Sequence, residues 1–332
     1  MAADRPQVAI ACQGGGSHTA FTAGVLQRLL SEPDPDYDIV GFSGTSGGAI
    51  CALLAWYGRV HPEEDPRTLL RDFWAEMAAS NPFDRAANTG MQTITHLRMA
   101  GFSLPETSPY WTPTARWGQR ELRERIEAHV DFDAIPALVA ETDDHPGLFI
   151  SAIEVLSGEF EVFREEDVCS DAILASAAEP NLFNAVGVNG KTYWDGLFSK
   201  NPPVQDFNVA PDIPDPDEIW IIKINPQERS RVPKSLNGIM DRRNELSGNL
   251  SLNAETRFIR QVNQWIEKGY LPERYTHTEL ERIRFTRELD WTTKLDRSPE
   301  FLDRLLKDGR ERADGFLVSR DSDGPRRDVE GR

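Results

Sequence analysis

Twice within the first 58 residues, a short apolar run breaks at a glycine-rich turn and resumes as a helix. The first run is Val8-Ala9-Ile10-Ala11-Cys12, stopped by Gln13 and Gly14-Gly15-Gly16. Ser17 then offers a cap, and Ala20, Val25, Leu26, Leu29 and Leu30 recur at helical spacing. After a Pro/Asp loop at Glu32–Asp38, the run Ile39-Val40-Gly41-Phe42 reaches a tight Gly/Ser/Thr segment, and Ala49–Tyr57 follows as an apolar helix. Strands without alternation, joined through helices, belong inside a parallel sheet covered on both faces. The expected class is α/β, built in layers.

The middle of the chain differs. Pro62–Gly118 carries Phe73, Trp74, Met77, Phe83, Met91, Ile94, Leu97, Met99, Phe102, Leu104, Tyr110, Trp111 and Trp117 among several prolines, and reads as helices and loops laid over the sheet. Its aromatics and methionines serve either as core packing or as an apolar, lipid-facing surface. Next come a helix at Gln119–Val130, strands at Leu148–Val155 and Phe160–Phe163, and a helix over Asp167–Ala178. Val186–Val188, Asn189-Gly190 and Lys191–Trp194 spell a hairpin, because Asn-Gly supplies the positive φ angles of a type I′ turn. Ile219–Ile224 is a further buried strand, followed by amphipathic helices near Ser251–Lys268 and Pro299–Leu317 and a strand near Arg282–Glu288. With no repeat or linker, the expectation is one domain over residues 6–318, with core motifs in 8–225 and an extension over 226–318. The charged stretch 319–332 is expected to be a frayed tail.

Composition narrows the function classes. The 54 acidic residues against 37 basic ones give a net charge of −17, which argues against nucleic acid as a partner and against long-range attraction to an anionic bilayer. The longest apolar run, Ala49–Tyr57, is too short for a spanning helix. Met1–Gln7 is polar and lacks the basic-then-apolar pattern of a secretion signal. The three cysteines, Cys12, Cys51 and Cys169, suggest no disulfide framework, so a reducing, cytoplasmic setting is expected.

Gly44-Thr45-Ser46-Gly47-Gly48 satisfies G-x-S-x-G between a buried strand and an apolar helix, the context a nucleophile elbow requires. The Gly47 amide, at the helix start, would face a developing oxyanion. Gly14–Gly16 has two readings, a phosphate cradle or an oxyanion hole. The first lacks its closing glycine, since Thr19 stands there, and no acidic residue ends the second strand. The second places free amides beside Ser46. For a base, His277 is the histidine that follows in the order of a conventional triad, but it opens a polar, charged stretch. Asp195, in Tyr193-Trp194-Asp195-Gly196-Leu197, sits instead at a strand end, where rigid backbone would hold it; Tyr193 and Trp194 either wall it off from water or are ordinary strand residues. No His/Cys/Asp/Glu group has metal-ligand spacing, and no cofactor is expected.

Taken in order, these segments resemble the patatin-like phospholipases. The glycine loop heads a helix ending Ala23-Gly24-Val25-Leu26; the elbow is Gly44–Gly48. The third element runs from Ala175-Ser176-Ala177-Ala178-Glu179-Pro180 through Tyr193-Trp194-Asp195-Gly196 to Asn201-Pro202-Pro203-Val204. The likeness covers roughly residues 6–225. It implies a three-layer α/β/α fold with a mainly parallel sheet, and a Ser-Asp dyad without histidine that cleaves acyl esters of lipids. Ser46 would be the nucleophile and Asp195 the general base, with Gly14, Gly15 and Gly16 forming the oxyanion hole together with Gly47. A lipid substrate implies transient docking at a membrane or micelle, peripheral to the bilayer, with Pro62–Gly118 as the candidate surface. Two departures bear on oxyanion geometry and turnover. His18-Thr19 replaces the family's usual Arg or Lys followed by Gly, so that His18 either stands in for that cation or is a first-turn helix residue. Leu197 follows Asp-Gly where Gly or Ala is usual. The alternative to a hydrolase is a lipid-binding protein of the same fold with little turnover.

Overall fold

The computed structural model describes residues 5–99, 107–142, 144–287, 289 and 291–322. Its centre is a sheet of eight strands: β1 (Gln7–Cys12), β2 (Asp38–Gly44), β3 (Gly147–Glu154), β4 (Phe160–Arg164), β5 (Val186–Val188), β6 (Lys191–Asp195), β7 (Glu218–Lys223) and β8 (Glu279–Arg284). The order is β5-β6-β3-β2-β1-β7-β8, with β4 added to β3. The run β3-β2-β1-β7-β8 is parallel throughout; β4, β5 and β6 pair antiparallel. The fold is thus the expected α/β class, with a mostly parallel sheet flanked by helices.

Two separate apolar clusters show why the opening strands lack alternation. Val8, Ile10 and Cys12 of β1 enter one cluster, while Ala9 and Ala11 enter the other. The first cluster lies under α1 (Ala20–Leu29), α2 (Gly47–Val60), α3 (Pro66–Met77) and α9 (Pro299–Ser322), with α7 (Ser170–Ser176) beside them. The second lies under α8 (Leu236–Glu267), through Leu252 and Ile259, and under the turn carrying Phe207. Every residue of α2 except Arg59 is buried. Full burial of one large apolar side chain is worth about 1.5–3 kcal/mol, so Ile50, Leu53, Leu54 and Trp56 bind this helix firmly to the sheet.

Register decides where the site forms. β4 runs along one edge of β3; β2 takes the first half of the other edge, at Gly147–Ile150, and β6 the last part, at Ala152–Glu154. β6 therefore begins to pair where β2 leaves off. This brings the end of β6 beside the turn that follows β2.

Several elements depart from the sequence expectation. Ser17 does not cap the first helix: Gly16, at φ 57°, turns the chain into a short 3-10 segment (Gly16–Thr19), whose capping position is Gly15, before α1 starts. The helix placed at Gln119–Val130 is α5 (Pro113–Glu127), since Pro113 suits a first helical position. A further helix, α6 (Ile135–Glu141), was not anticipated. The helix placed at Ser251–Lys268 is the second half of α8, which starts at the Ser235 cap. Its first half has a weak apolar period because Asp241, Glu245 and Asn249 are buried there as polar partners. The last strand lies at Glu279–Arg284, earlier than Arg282–Glu288, because its register follows β7 from Glu218. Helix α9 continues to Ser322, so residues 319–322 are helical rather than frayed; 323–332 lie outside the described residues, as do Phe102 and Leu104.

The aromatic middle region divides. Phe73 and Trp74 of α3 are core, as the packing reading expects. Helix α4 (Pro82–Met99) is the reverse: Asp84, Asn88 and Thr95 face inward while Phe83, Met91, Ile94 and Leu97 face out. Tyr110, Trp111 and Trp117 are exposed nearby in sequence. Among the described residues no helix is long and apolar enough to cross a membrane.

Candidate active site

Ser46 stands between β2 and α2 at φ 57° and ψ −130°, a left-handed conformation that costs a non-glycine residue strain. The turn is tight enough to explain its glycines. A Cβ on Gly48 would lie 2.2 Å from the Cys12 carbonyl oxygen, and one on Gly44 would lie 2.4 Å from that of Gly48. Thr45 anchors the turn: its Oγ1 donates to the Lys200 carbonyl at 2.7 Å and lies 2.7 Å from Ser151 Oγ. The Ser46 amide donates to Ser176 Oγ at 3.0 Å. The Ser46 side chain is left half-buried at the top of the sheet.

Asp195 ends β6 opposite Ala152 of β3 and is buried. The Ser46 hydroxyl is close enough to its carboxylate to favour the ionised form. Asp195 Oδ1 also accepts the Leu197 amide at 2.8 Å, and the Asp195 amide donates to the Ala178 carbonyl at 3.0 Å. Burial pushes this carboxyl up to about 7; the Leu197 amide bond and the nearby Ser46 hydroxyl pull the other way, and the neighbouring Glu179 charge adds to the rise. Tyr193 reads as a strand residue: it packs in the core and its hydroxyl donates to Glu161 Oε2 at 2.9 Å.

The glycine loop meets the elbow directly, since a Cβ on Gly14 would lie 2.9 Å from Ser46 Cβ. That contact places the loop beside Ser46, as the oxyanion-hole reading expects. Of the four expected oxyanion donors, however, Gly14 is already committed. It is buried, and its amide donates to Asn201 Oδ1 at 2.8 Å while its carbonyl accepts Asn225 Nδ2 at 3.0 Å. The amides of Gly15, Gly16 and Gly47 have no partner among the described residues. Behind the loop, Gln13 accepts the Ile224 and Asn225 amides on Oε1 and donates from Nε2 to Asn249 Oδ1 at 3.1 Å.

His18 does not act as a cation. It is buried against Phe285 and Phe301, with Nε2 2.7 Å from Thr293 Oγ1. Burial first, then the Lys294 and Arg229 charges, lower its pKa to about 3, so the ring is neutral. Thr19, in the place of the usual glycine, donates from Oγ1 to the Gly16 carbonyl at 2.6 Å and so closes the turn. Leu197 reaches toward α8 where that helix has no side chain: a Cβ on Gly248 would lie 2.7 Å from Leu197 Cδ1. His277 is exposed and 3.7 Å from Glu267 Oε1. It stands two residues before β8, at the end of the parallel strands opposite Ser46.

Ser176, Asn201, Gln13 and Asn225 had no role assigned from sequence. Ser176 and Asn201 lie inside quoted motifs, and a buried polar residue beside a glycine run, as Gln13 is, would have been the signal to ask what it holds.

The sequence pattern of the family described as Patatin-like phospholipase matches residues 10–208, more than half of the chain. Comparison with curated proteins finds no significant match. Among solved structures, VipD from Legionella pneumophila aligns at a TM-score of 0.43 and 12% identity, over 95% of this chain and 67% of that one. ExoU in the heterodimeric ExoU–SpcU complex from the type III secretion system of Pseudomonas aeruginosa aligns at 0.36 and 14% identity, over 95% of this chain and 51% of its own. Human GIVD cytosolic phospholipase A2, in complex with methyl gamma-linolenyl fluorophosphonate, aligns at 0.30 and 18% identity, over 58% of this chain and 25% of its own.

Proposed function

The chain belongs to the patatin-like phospholipase family, and from that premise we propose that it is a lipid acyl hydrolase working through Ser46 and Asp195. Ser46 Oγ attacks the ester carbonyl carbon as the Asp195 carboxylate takes its proton. The tetrahedral oxyanion is met by the amides of Gly15, Gly16 and Gly47. Collapse breaks the ester C–O bond, and the leaving alcohol takes the proton back from Asp195. Water, deprotonated by Asp195, then attacks the acyl-Ser46 ester, and the returned proton frees the Ser46 hydroxyl and the fatty acid.

The observation that carries this reading is the approach of the Ser46 hydroxyl to the buried Asp195 carboxylate, close enough to favour its ionised form. It joins a strained elbow to a strand end, two rigid supports. A carboxylate in water is too weak a base for a serine hydroxyl, and a base works best when its pKa lies near the working pH. Burial of Asp195 supplies that shift. The uncommitted amides of Gly15, Gly16 and Gly47 are the donors that would supply electrostatic stabilisation, where loss of one donor costs about 2.7–4 kcal/mol in comparable sites.

We further propose that α4 seats the enzyme on its substrate. A helix with polar residues inward and Phe83, Met91, Ile94 and Leu97 outward is unfavourable in water unless something covers it. A lipid surface, which a lipid hydrolase must approach, is the occupant that fits.

The test is fluorophosphonate labelling of the purified protein, mapped by mass spectrometry, beside Ser46→Ala and Asp195→Asn. The expected adduct is on Ser46. Ser46→Ala abolishes ester turnover, and Asp195→Asn lowers kcat by about 10²–10⁴-fold. An unchanged turnover rate in folded Ser46→Ala would overturn the reading.

A further inference from the structure

The segment after β8 returns to the glycine loop. Residues Trp291–Leu295 form a 3-10 turn outside the stretch matched by the family. The Lys294 carbonyl oxygen lies so close to Gly16 that a Cβ there would stand 2.4 Å from it. Thr293 Oγ1 holds His18. The Lys294 ammonium donates to Asn225 Oδ1 at 3.3 Å and to Asp241 Oδ1 at 3.4 Å, and Asn225 Nδ2 in turn donates to the Gly14 carbonyl at 3.0 Å. One residue thus holds both ends of the loop, Gly16 through its backbone and Gly14 through Asn225.

Its charge has a further consequence. Lys294, Arg229 and Arg242 pair with Asp241 and Glu245, all with little solvent exposure, and this network with Asn225 holds the Lys294 ammonium in place. The influence of Lys294 is felt on both sides of the loop, since it opposes protonation of His18 and favours ionisation of Glu179.

We propose that Lys294 is a positioning residue for the reaction of Ser46, locking the Gly14–Gly16 loop in the conformation that serves the oxyanion. The inference rests on the Ser46 reading given above.

The experiment compares Lys294→Met, Lys294→Arg and, as a surface control on α9, Lys307→Met, with p-nitrophenyl butyrate as a soluble ester. Misplacing a catalytic group by about 1 Å costs about 100-fold, so Lys294→Met is expected to lower kcat by about 10–100-fold with KM changed less than about 3-fold. Lys294→Arg restores kcat to within about 5-fold of wild type, because charge and reach are kept. Amide hydrogen exchange at residues 14–18 quickens in Lys294→Met and not in Lys294→Arg. Folded Lys294→Met with wild-type kcat overturns the proposal, as does equal loss in Met and Arg variants with unchanged exchange, which marks a packing role alone. If Lys294→Met does not fold, Asn225→Ala severs the same relay and must show the kcat loss; wild-type kcat there overturns the proposal. A wild-type protein that neither hydrolyses the ester nor labels on Ser46 sinks the Ser46 reading and this inference with it. An active wild type with an indifferent Lys294 sinks the inference alone.

Discussion

At the scale of single residues, the proposed base Asp195 links activity to stability. Burial pushes its carboxyl up to about 7 in the folded protein, above the ordinary carboxylate range. In the proposed mechanism it must be ionised, so kcat/KM is expected to rise with pH along a single ionisation near 7, which a pH–rate profile on a soluble ester will read. The stability effect has the opposite direction. The folded protein holds a proton that the unfolded chain has already lost, so the contribution of Asp195 to stability is full below about pH 4 and is lost as pH rises through about 7. Asp195→Asn keeps an acceptor for the Leu197 amide and removes the buried charge. It is therefore expected to be strongly impaired in turnover yet more resistant to denaturant than wild type at pH 8, with the difference vanishing at pH 4. Ser46 and Asp195 were legible as candidates because each sits in a short pattern with local causes. The state of His18 was not, because its neutral ring depends on Phe285, Phe301, Lys294 and Arg229.

At the scale of elements, α4 carries the decisive contrast. Composition marked Pro62–Gly118 as apolar without saying which way its side chains face. In the structure, α3 turns its aromatics inward while α4 turns its apolar residues out, because α4 spends its inner face on polar bonds. Asn88 donates to Asp296 Oδ1 at 3.1 Å and Gln92 to the Thr292 carbonyl at 3.2 Å. Met91 and Ile94 are 44% and 45% exposed, so aspartates there forfeit only part of a buried side chain's contribution. The double variant Met91→Asp/Ile94→Asp is thus expected to stay folded with a modestly lower melting temperature and to keep its rate on p-nitrophenyl butyrate. Burial of each such side chain is worth about 1.5–3 kcal/mol, so vesicle partitioning should weaken by at least about 10-fold. Co-sedimentation with phosphatidylcholine vesicles checks it; undiminished binding removes α4 as the docking face. The boundaries of β1, β2, α2 and the β5–β6 hairpin were readable because periodicity and turn chemistry act within a few residues. The first half of α8 and the register of β8 were not, since buried polar pairs and a neighbouring strand set them.

At the scale of the whole molecule, residues 226–322 bear directly on the fold. They supply β8 to the sheet, α8 to one face and α9 to the other, where Gly24 and Gly309 let α1 and α9 cross so closely that a Cβ on Gly24 would meet the Leu306 carbonyl at 2.1 Å. We propose that residues 6–318 are one cooperative unit. A chain ending at Asn225 would expose the sheet faces that α8 and α9 cover, and is expected to show no cooperative thermal transition, whereas one ending at Ser322 should melt like the full chain. A cooperative melt of the short chain would divide the molecule at that point.

By itself the sequence determined the local geometry: buried parallel strands, a strained serine between small residues, a loop of glycines and an aspartate at a strand end. Steric limits on the backbone and the period of apolar residues act over a few positions and are written there. Only the tertiary structure decided which amides of the loop stay free, which residue holds it and which face of α4 meets water. Gly14 is bound by Asn201, 187 residues away, and His18 by Thr293, 275 away. The competition for a buried donor, and the field that sets a buried charge, depend on distance in space, which spacing along the chain does not encode.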